Sequence, residues 1–241
     1  IPIVLPKIKY FSGYDISSKL SSSSTSEFYN IFREKSNLVH SKRQQKLSHK
    51  YNISKKLFKF KSKTQLDAEI YNQIFNTENK LTSGDIYKSG SYYRIFPIFG
   101  ISTETPFKIN NYLKEFTFTP KMHMTITPGI SNSNKLSNED STNNDFSIGN
   151  IYRLNRYSGN DKMDNSKRIS FGFNANSENI QSTLSQSYEF TDNSNFHKEQ
   201  GNDDNLSDLL GSIEYSDSNE ISYNFRYDLD DSYVKKQSIN L

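Results

Sequence analysis

Residues 220–230, EISYNFRYDLD, decide the fold class, because their hydrophobic side chains recur at every second position. Ile221, Tyr223 and Phe225 alternate with small polar or charged residues. Successive side chains of a β-strand point to opposite faces, so the segment predicts a strand with one apolar and one polar face. The same pattern occurs in residues 58–70, 116–126, 169–175 and 184–190. The sequence therefore predicts an all-β protein.

The composition limits how such strands can be packed. Only 33% of the 241 residues are hydrophobic, the mean hydropathy is −0.81, and Trp and Cys are absent. A soluble domain of this length needs more aliphatic material for its core. Disorder is a rival explanation, but 17 Phe and 16 Tyr are too many for a solvated polymer. A sheet with one apolar and one wet face fits best, and a soluble β-sandwich and a partly disordered chain remain alternatives.

Strand length and loop length favour a membrane barrel. Several of the alternating segments run to about ten residues, the length of a tilted strand that crosses a membrane. The connection at 216–220 is short, whereas 131–147 and 191–208 are long and rich in Asn and Asp. Short turns at one end and long loops at the other are typical of outer-membrane barrels. The sequence thus predicts antiparallel transmembrane β-barrel strands, forming part of a barrel, with long polar loops.

Several classes of function are disfavoured. The net charge is only +3, and acidic runs offset the basic ones, so binding to nucleic acid is not expected. The absence of cysteine excludes a disulfide scaffold and a thiolate metal site. The four histidines lack the spacing of metal ligands, and no nucleophile elbow, zinc-protease motif or phosphate loop occurs. We expect no catalytic residue, no metal and no cofactor.

Three short motifs follow one another in residues 138–172. The first is Asn138, Glu139, Asp140 and Ser141; the second is Asn155, Arg156, Tyr157, Ser158 and Gly159, followed by Asp161; the third is Arg168 before a strand that contains Gly172. This ordered set resembles the LptD family of lipopolysaccharide-assembly proteins, also called organic solvent tolerance proteins. The family pattern is a P-N-E-D-S loop, then N-R-[YF]-x-G-x-D-R, then R-x-x-x-G. The chain departs from it at Ser137 and Lys162, and residues 205–236 resemble a later part of the same barrel.

The resemblance implies a transport function. It implies that residues 1–241 are the middle part of an LptD-type C-terminal β-barrel domain, with the jellyroll domain and the remaining strands not in this chain. The protein would insert lipopolysaccharide (LPS) into the outer leaflet of the outer membrane of a Gram-negative bacterium. Its partners would be LPS, an LptE-type lipoprotein plug, membrane lipid, and a periplasmic LptA-type bridge reached through the absent N-terminal domain. A passive porin or nutrient receptor is the alternative. An open sheet cut from a barrel has two unpaired edges, so we expect it to aggregate in water.

The motif residues are expected to form a structural loop. Arg153, Arg156 and Arg168 would pair with Glu139, Asp140, Asp161 or Asp164, and Glu139 and Asp140 are the preferred partners of Arg156. Tyr157 would be an aromatic anchor, and Gly159 would permit a tight turn.

The basic residues are expected to face the lumen. Alternation predicts that Lys59, Lys61 and Lys63 line one face of a single strand and that Arg226 lies on the polar face of another. These side chains are possible contacts for LPS phosphates, or they are solvated residues without ligand specificity. Phe171, Phe173, Phe225 and Tyr227 are expected to face lipid.

Overall fold

The computed structural model describes residues 2–59, 61–83, 86–111, 114–130, 132–141, 145–191, 201–202 and 204–241. Within these residues the chain forms twelve β-strands and no α-helix. The strands are β1 Ile3–Ser17, β2 Leu20–Phe32, β3 Arg43–Lys59, β4 Ser62–Leu81, β5 Tyr87–Glu104, β6 Phe107–Asn111, β7 Lys114–Ile126, β8 Lys167–Asn176, β9 Ile180–Glu189, β10 Leu209–Ser216, β11 Glu220–Asp228 and β12 Tyr233–Asn240. In the described residues no helix is long and apolar enough to cross a membrane.

All twelve strands belong to one antiparallel sheet. The order is β1-β2-β3-β4-β5-β7-β8-β9-β10-β11-β12, and the short β6 pairs with the first part of β7. The sheet is open, with β1 and β12 at its edges. A β-sandwich needs two packed sheets, whereas the described strands form a single up-and-down sheet. The prediction of an all-β, partial-barrel fold is confirmed.

The two faces of the sheet differ in what lies on them. We call the face on which residues 127–166 pack the covered face; it carries Tyr71, Gln73 and Phe75 of β4, all nearly inaccessible to solvent. We call the other the open face. It carries Ile70 and Ile74 of the same strand, which are exposed. The alternation in the sequence thus places large apolar side chains on the uncovered open face and most of the polar side chains on the face beneath the loop.

The two ends of the sheet also differ. At the short-turn end, residues 18–19, 60–61, 177–179 and 217–219 join neighbouring strands. At the other end, three connections are long, residues 33–42, 127–166 and 190–208, and two are short, residues 82–86 and 229–232. The three long loops therefore lie at one end, as expected, and we call it the long-loop end, although short turns occur at both ends.

The interpretation of residues 58–70 as one strand is wrong. β3 ends at Lys59 and β4 begins at Ser62, and these two residues pair across the turn. Lys61 lies exposed in the turn, and Lys63 pairs with Phe58. A two-residue turn shifts the alternation by one position, so Lys59, Lys61 and Lys63 cannot share a face. Phe60 and the side chain of Lys59 lie outside the described residues.

Candidate functional site

The candidate site is the long connection between β7 and β8, which we call the covering loop (residues 127–166). Its ends are held by adjacent strands, because Ile126 pairs with Lys167. Between those ends the loop reaches back over β2–β5 and forward to β9 and β10. All three sequence motifs meet here.

Asp161 is the centre of the first polar cluster. Its carboxylate accepts hydrogen bonds from Lys46 Nζ at 2.5 Å and from the Tyr29 hydroxyl at 3.1 Å. The backbone amides of Glu139 and Asp140 donate to its other oxygen at 2.6 and 3.2 Å. Lys46 also binds Asp140 at 3.1 Å, and its side chain is 0% exposed. One buried lysine on β3 therefore clamps two carboxylates of the loop.

The first two motifs interlock through their backbones. Asp140 Oδ1 accepts the amides of Asn160 and Asp161 at 3.0 and 2.8 Å. Ser141 Oγ accepts the amides of Asp161 and Lys162, both at 2.9 Å. Asn138 closes the turn, since its side chain exchanges two hydrogen bonds with the backbone of Ser141. The first and second motifs thus fold against each other as one hydrogen-bonded unit, which explains why they occur together in the sequence.

Glycine is required at position 159, because the backbone of Asp140 lies very close to it. A Cβ placed on it would lie 2.3 Å from the carbonyl oxygen of Asp140. That distance is far inside van der Waals contact, so any side chain would separate the two motifs.

Burial and charge act differently on the two carboxyls. Burial raises the pKa of Asp161, the charge of Asp140 adds to this, and Lys46 opposes it. Burial also acts to raise the pKa of Asp140, but Lys46, the Asp161 amide and Ser141 outweigh it and hold that pKa below its ordinary value. Of the two carboxyls, Asp140 therefore has the lower proton affinity and is the one that stays negatively charged opposite Lys46.

Glu139 and Ser137 attach the loop to β2 and β3. Both carboxylate oxygens of Glu139 accept hydrogen bonds from Arg33, one of them at 2.8 Å. Gln44 donates to the Ser137 carbonyl at 2.9 Å and accepts the Ser137 amide at 3.2 Å. The expectation that Glu139 or Asp140 holds Arg156 is wrong, because Arg33 and Lys46 occupy these carboxylates.

Asp164 is the centre of the second cluster. Arg156 binds it through two nitrogens, at 2.6 and 3.2 Å, and also reaches Glu189 on β9 at 3.2 Å. Arg168 binds the same carboxylate at 3.0 Å and donates to the carbonyls of Arg153 and Leu154. Burial would lower the pKa of Arg156, but Asp164 and Glu189 raise it above its ordinary value. Asp164, one of the four carboxylates considered from the sequence, is the partner of both arginines.

Arg153 does not join either cluster. Its side chain is exposed, and it forms no ion pair within the described parts of the chain. Tyr157 is buried, with the Lys162 ammonium 5.6 Å from the centre of its ring.

Apolar side chains pack the loop onto the covered face. Met163 is fully buried against Tyr71, Phe96 and Ile98, with Leu154 beside them. Phe146 and Ile151 pack on Leu210 of β10. Sequence reasoning missed Met163, Tyr29, Lys46 and Glu189, since none of them stands in a motif or shows a distinctive spacing.

The basic residues predicted to face the lumen do not come together. Arg226 is buried on the covered face and lies 3.3 Å from Asp208. Lys63 is exposed, 3.4 Å from Glu104, and Lys61 lies in the turn. In the described residues no group of three or more His, Cys, Asp or Glu side chains is arranged to hold a metal ion.

A cavity of about 630 Å³ lies between the covering loop and the short-turn end. Its charged lining residues are Lys56, Lys63, Lys121, Asp67 and Glu104, and His123 and Tyr152 also line it. Lys121 lies 4.3 Å from the centre of the Tyr152 ring. The cavity therefore offers three cations, two carboxylates and aromatic surface, an arrangement that can hold a polar, charged head group.

Comparison with known proteins gives one family. The family model described as LptD, LPS transport system D, matches residues 1–241, the whole chain. No curated protein matches the chain.

Proposed function

Because the chain belongs to the LptD family, we propose that it forms part of a barrel that inserts LPS into the outer leaflet of the outer membrane. The family is one of LPS transport, so we assign the chain no reaction. In this proposal the open face meets lipid and the covered face lines the lumen.

The distribution of exposed side chains supports these assignments. The open face carries large apolar residues along whole strands, such as Phe99 and Ile101 on β5 and Phe171 on β8. A transmembrane barrel needs such a band to meet acyl chains. The opposite face carries buried Arg, Lys, Gln and Ser, which form hydrogen bonds with the covering loop.

The covering loop carries the main argument for how the barrel works. Its clamp joins Lys46 to Asp161, residues 115 positions apart in sequence. A loop held this firmly closes the lumen toward the long-loop end and leaves the 630 Å³ cavity beneath it. Cargo that enters the lumen is then prevented from passing straight through and is directed sideways. An LptE-type plug and an LptA-type bridge, reached through a separate domain, would complete this path.

A passive porin is the alternative function. A porin lumen conducts small solutes along its axis, so a loop that crosses the lumen on two buried ion clusters opposes rapid flow. Depletion of the protein in its native host separates the two functions. Loss of LPS from the cell surface supports transport, whereas slower uptake of small solutes with normal surface LPS contradicts it.

Photo-crosslinking tests the assigned route. Ser102 lies on the covered face and lines the cavity, and its neighbour Ile101 lies on the open face of the same strand. A photoreactive amino acid at residue 102 is expected to capture LPS in cells, and one at residue 101 to capture phospholipid. Equal LPS capture from both positions, or none from residue 102, contradicts a lumenal route.

A further inference from the structure

Two adjacent hairpins at the short-turn end bring lysines together. Lys19 lies in the β1–β2 turn, and its carbonyl accepts the Lys56 amide at 2.7 Å, which joins the tips of the two hairpins. Among the exposed lysines there, Lys56 and Lys63 lie on the covered face and line the 630 Å³ cavity. Lys19 and Lys61 lie in the turns, and Lys55 lies on the open face. We call Lys19, Lys55 and Lys61 the lysine tip.

The charge of the lysine tip is not compensated by nearby carboxylates. In the part of the chain that the structure describes, no carboxylate lies within 4.0 Å of the ammonium groups of Lys19, Lys55 or Lys61. The neighbouring Asp67 accepts hydrogen bonds from Ser54 and Gln65. Three cations on two adjacent hairpins therefore lack an acidic partner among the described residues and favour an anionic ligand from outside.

The position of the tip indicates where that ligand lies. Lys55 is on the open face, where it pairs with Leu66 of β4. Ile53, Leu57 and Leu66, all exposed, surround it. A lysine at the end of an apolar band can lie along that band and extend its ammonium group to the polar boundary of a bilayer. Basic residues at such a boundary are attracted to anionic lipid headgroups.

We propose that the lysine tip binds the phosphate groups of anionic phospholipids in the leaflet that surrounds the short-turn end. Short turns of outer-membrane barrels lie on the periplasmic side, so this is the inner leaflet. The core of a protein–protein interface is depleted in Lys, so these exposed lysines favour a lipid surface over a protein partner. The inference goes beyond the transport of LPS, because it concerns the lipid around the barrel and not the cargo inside it.

Native mass spectrometry of the intact protein in detergent tests the proposal. Phosphatidylglycerol is the anionic probe, and phosphatidylcholine is the neutral one. The tip variant is K19Q/K55Q/K61Q. The control variant, K35Q/K42Q/K88Q, removes the same charge from exposed lysines at the long-loop end. The tip variant is expected to weaken phosphatidylglycerol binding about tenfold or more, given the attraction of each lysine to an anionic surface. The control is expected to change it by less than about twofold, since its lysines lie at the opposite boundary.

The outcomes separate this lipid from other ligands. Equal affinity of the parent protein for both lipids, or an equal loss in the two variants, overturns the proposal. A tip variant that binds phosphatidylglycerol normally but loses an acidic periplasmic protein, or loses only purified LPS, also overturns it. If the triple variant does not fold, K55Q/K61Q is measured beside K55R/K61R, which keeps the charge. Binding that is weakened in the Gln pair and retained in the Arg pair supports the proposal. Surface LPS in cells that carry the tip variant is a separate readout, so failure of the lipid site and failure of transport are distinguishable.

Discussion

Lys46 shows at the scale of one residue how the covering loop is fixed. Its ammonium group is fully buried between Asp140 and Asp161. Removing water from three charged groups is costly, so such a cluster adds little stability over apolar packing. Removing one member, however, leaves the others buried without compensation, and this is strongly destabilising.

Lys46→Met is therefore expected to lower the free energy of unfolding by about 3–5 kcal/mol. Lys50 lies on the same face of the same strand, but it is partly exposed and pairs with Glu69 at 2.6 Å. Lys50→Met should cost less than about 1 kcal/mol, because water screens a partly exposed pair. Urea unfolding in lipid vesicles, followed by circular dichroism, measures both. Equal costs would mean that the buried clamp does not hold the loop.

Gly159 gives a second test at this scale. Gly159→Ala is expected to cost about 1–3 kcal/mol, because the new methyl group collides with the Asp140 carbonyl. Gly149 lies in the same loop, but its added Cβ would meet nothing closer than 3.7 Å. Gly149→Ala should therefore stay within about 0.5 kcal/mol of the parent protein. Proteolysis of the loop in the folded barrel reports on the local change, and similar cleavage of both variants would contradict the interlocked turn.

The sequence identified the residues of the site better than their partners. The motif residues Asp140, Arg156 and Gly159 were expected in one structural loop, and they do meet there. Asp164, one partner of Arg156, is among the carboxylates that the sequence suggests. The second partner could not be predicted, because Glu189 lies 33 residues away on β9 and many carboxylates are available. Register between distant strands decides such pairs, and composition carries no information about it.

At the scale of the element, the second half of the covering loop depends on one shared carboxylate. Asp164 binds Arg156 in a bidentate pair and also binds Arg168. Lys cannot reproduce the planar pair, so Arg156→Lys should weaken the barrier to a large hydrophobic antibiotic. In a double-mutant cycle on the free energy of unfolding, Arg156→Ala and Asp164→Ala are expected to couple by about 1–3 kcal/mol.

The matched cycle uses Arg156→Ala with Glu139→Ala. Glu139 binds Arg33 in the other half of the loop, so these two changes should be additive within about 0.5 kcal/mol. Coupling to Glu139 that equals coupling to Asp164 would refute the division into two clusters.

Strand β8 tests the assignment of the faces. Phe171 is exposed on the open face, and Phe171→Arg is expected to cost about 2–4 kcal/mol if that face meets acyl chains. Glu178 lies exposed in the turn after β8, where Arg should cost less than about 1 kcal/mol. The yield of assembled barrel in the outer membrane compares the two variants. Equal assembly would show that Phe171 does not face lipid.

Alternation predicted β7, β8 and β11 well but failed at the β3–β4 turn. Phe58, Phe60, Ser62 and Thr64 keep the same period on both sides of residues 60–61. No Gly, Pro, Asn or Asp marks this turn, so local sequence offered no signal that the chain reverses. Pairing with the neighbouring strands fixes the turn instead.

At the scale of the whole molecule, the covering loop should behave as part of the sheet. The amides of Asp161 and Lys162 donate to side-chain oxygens of Asp140 and Ser141. Hydrogen–deuterium exchange of residues 156–166 is therefore expected to be as slow as that of β4. Residues 34–39, which are mostly exposed, serve as the fast reference. Exchange of both segments at the same rate would contradict a docked loop.

The contacts of the covering loop also set the order in which the protein can fold. Tyr29 and Asp161 are 132 residues apart, and Arg33 and Glu139 are 106 apart, whereas neighbouring strands meet through short turns. Contacts between distant residues form slowly, because a long segment must first be closed. Hairpins such as β3–β4 therefore form early, and the loop can dock only after β8 and β9 have joined the sheet. Until the loop docks, Lys46 and Arg94, which bind it in the folded sheet, face open water, so the covered face is expected to stay wet until the last strands have paired.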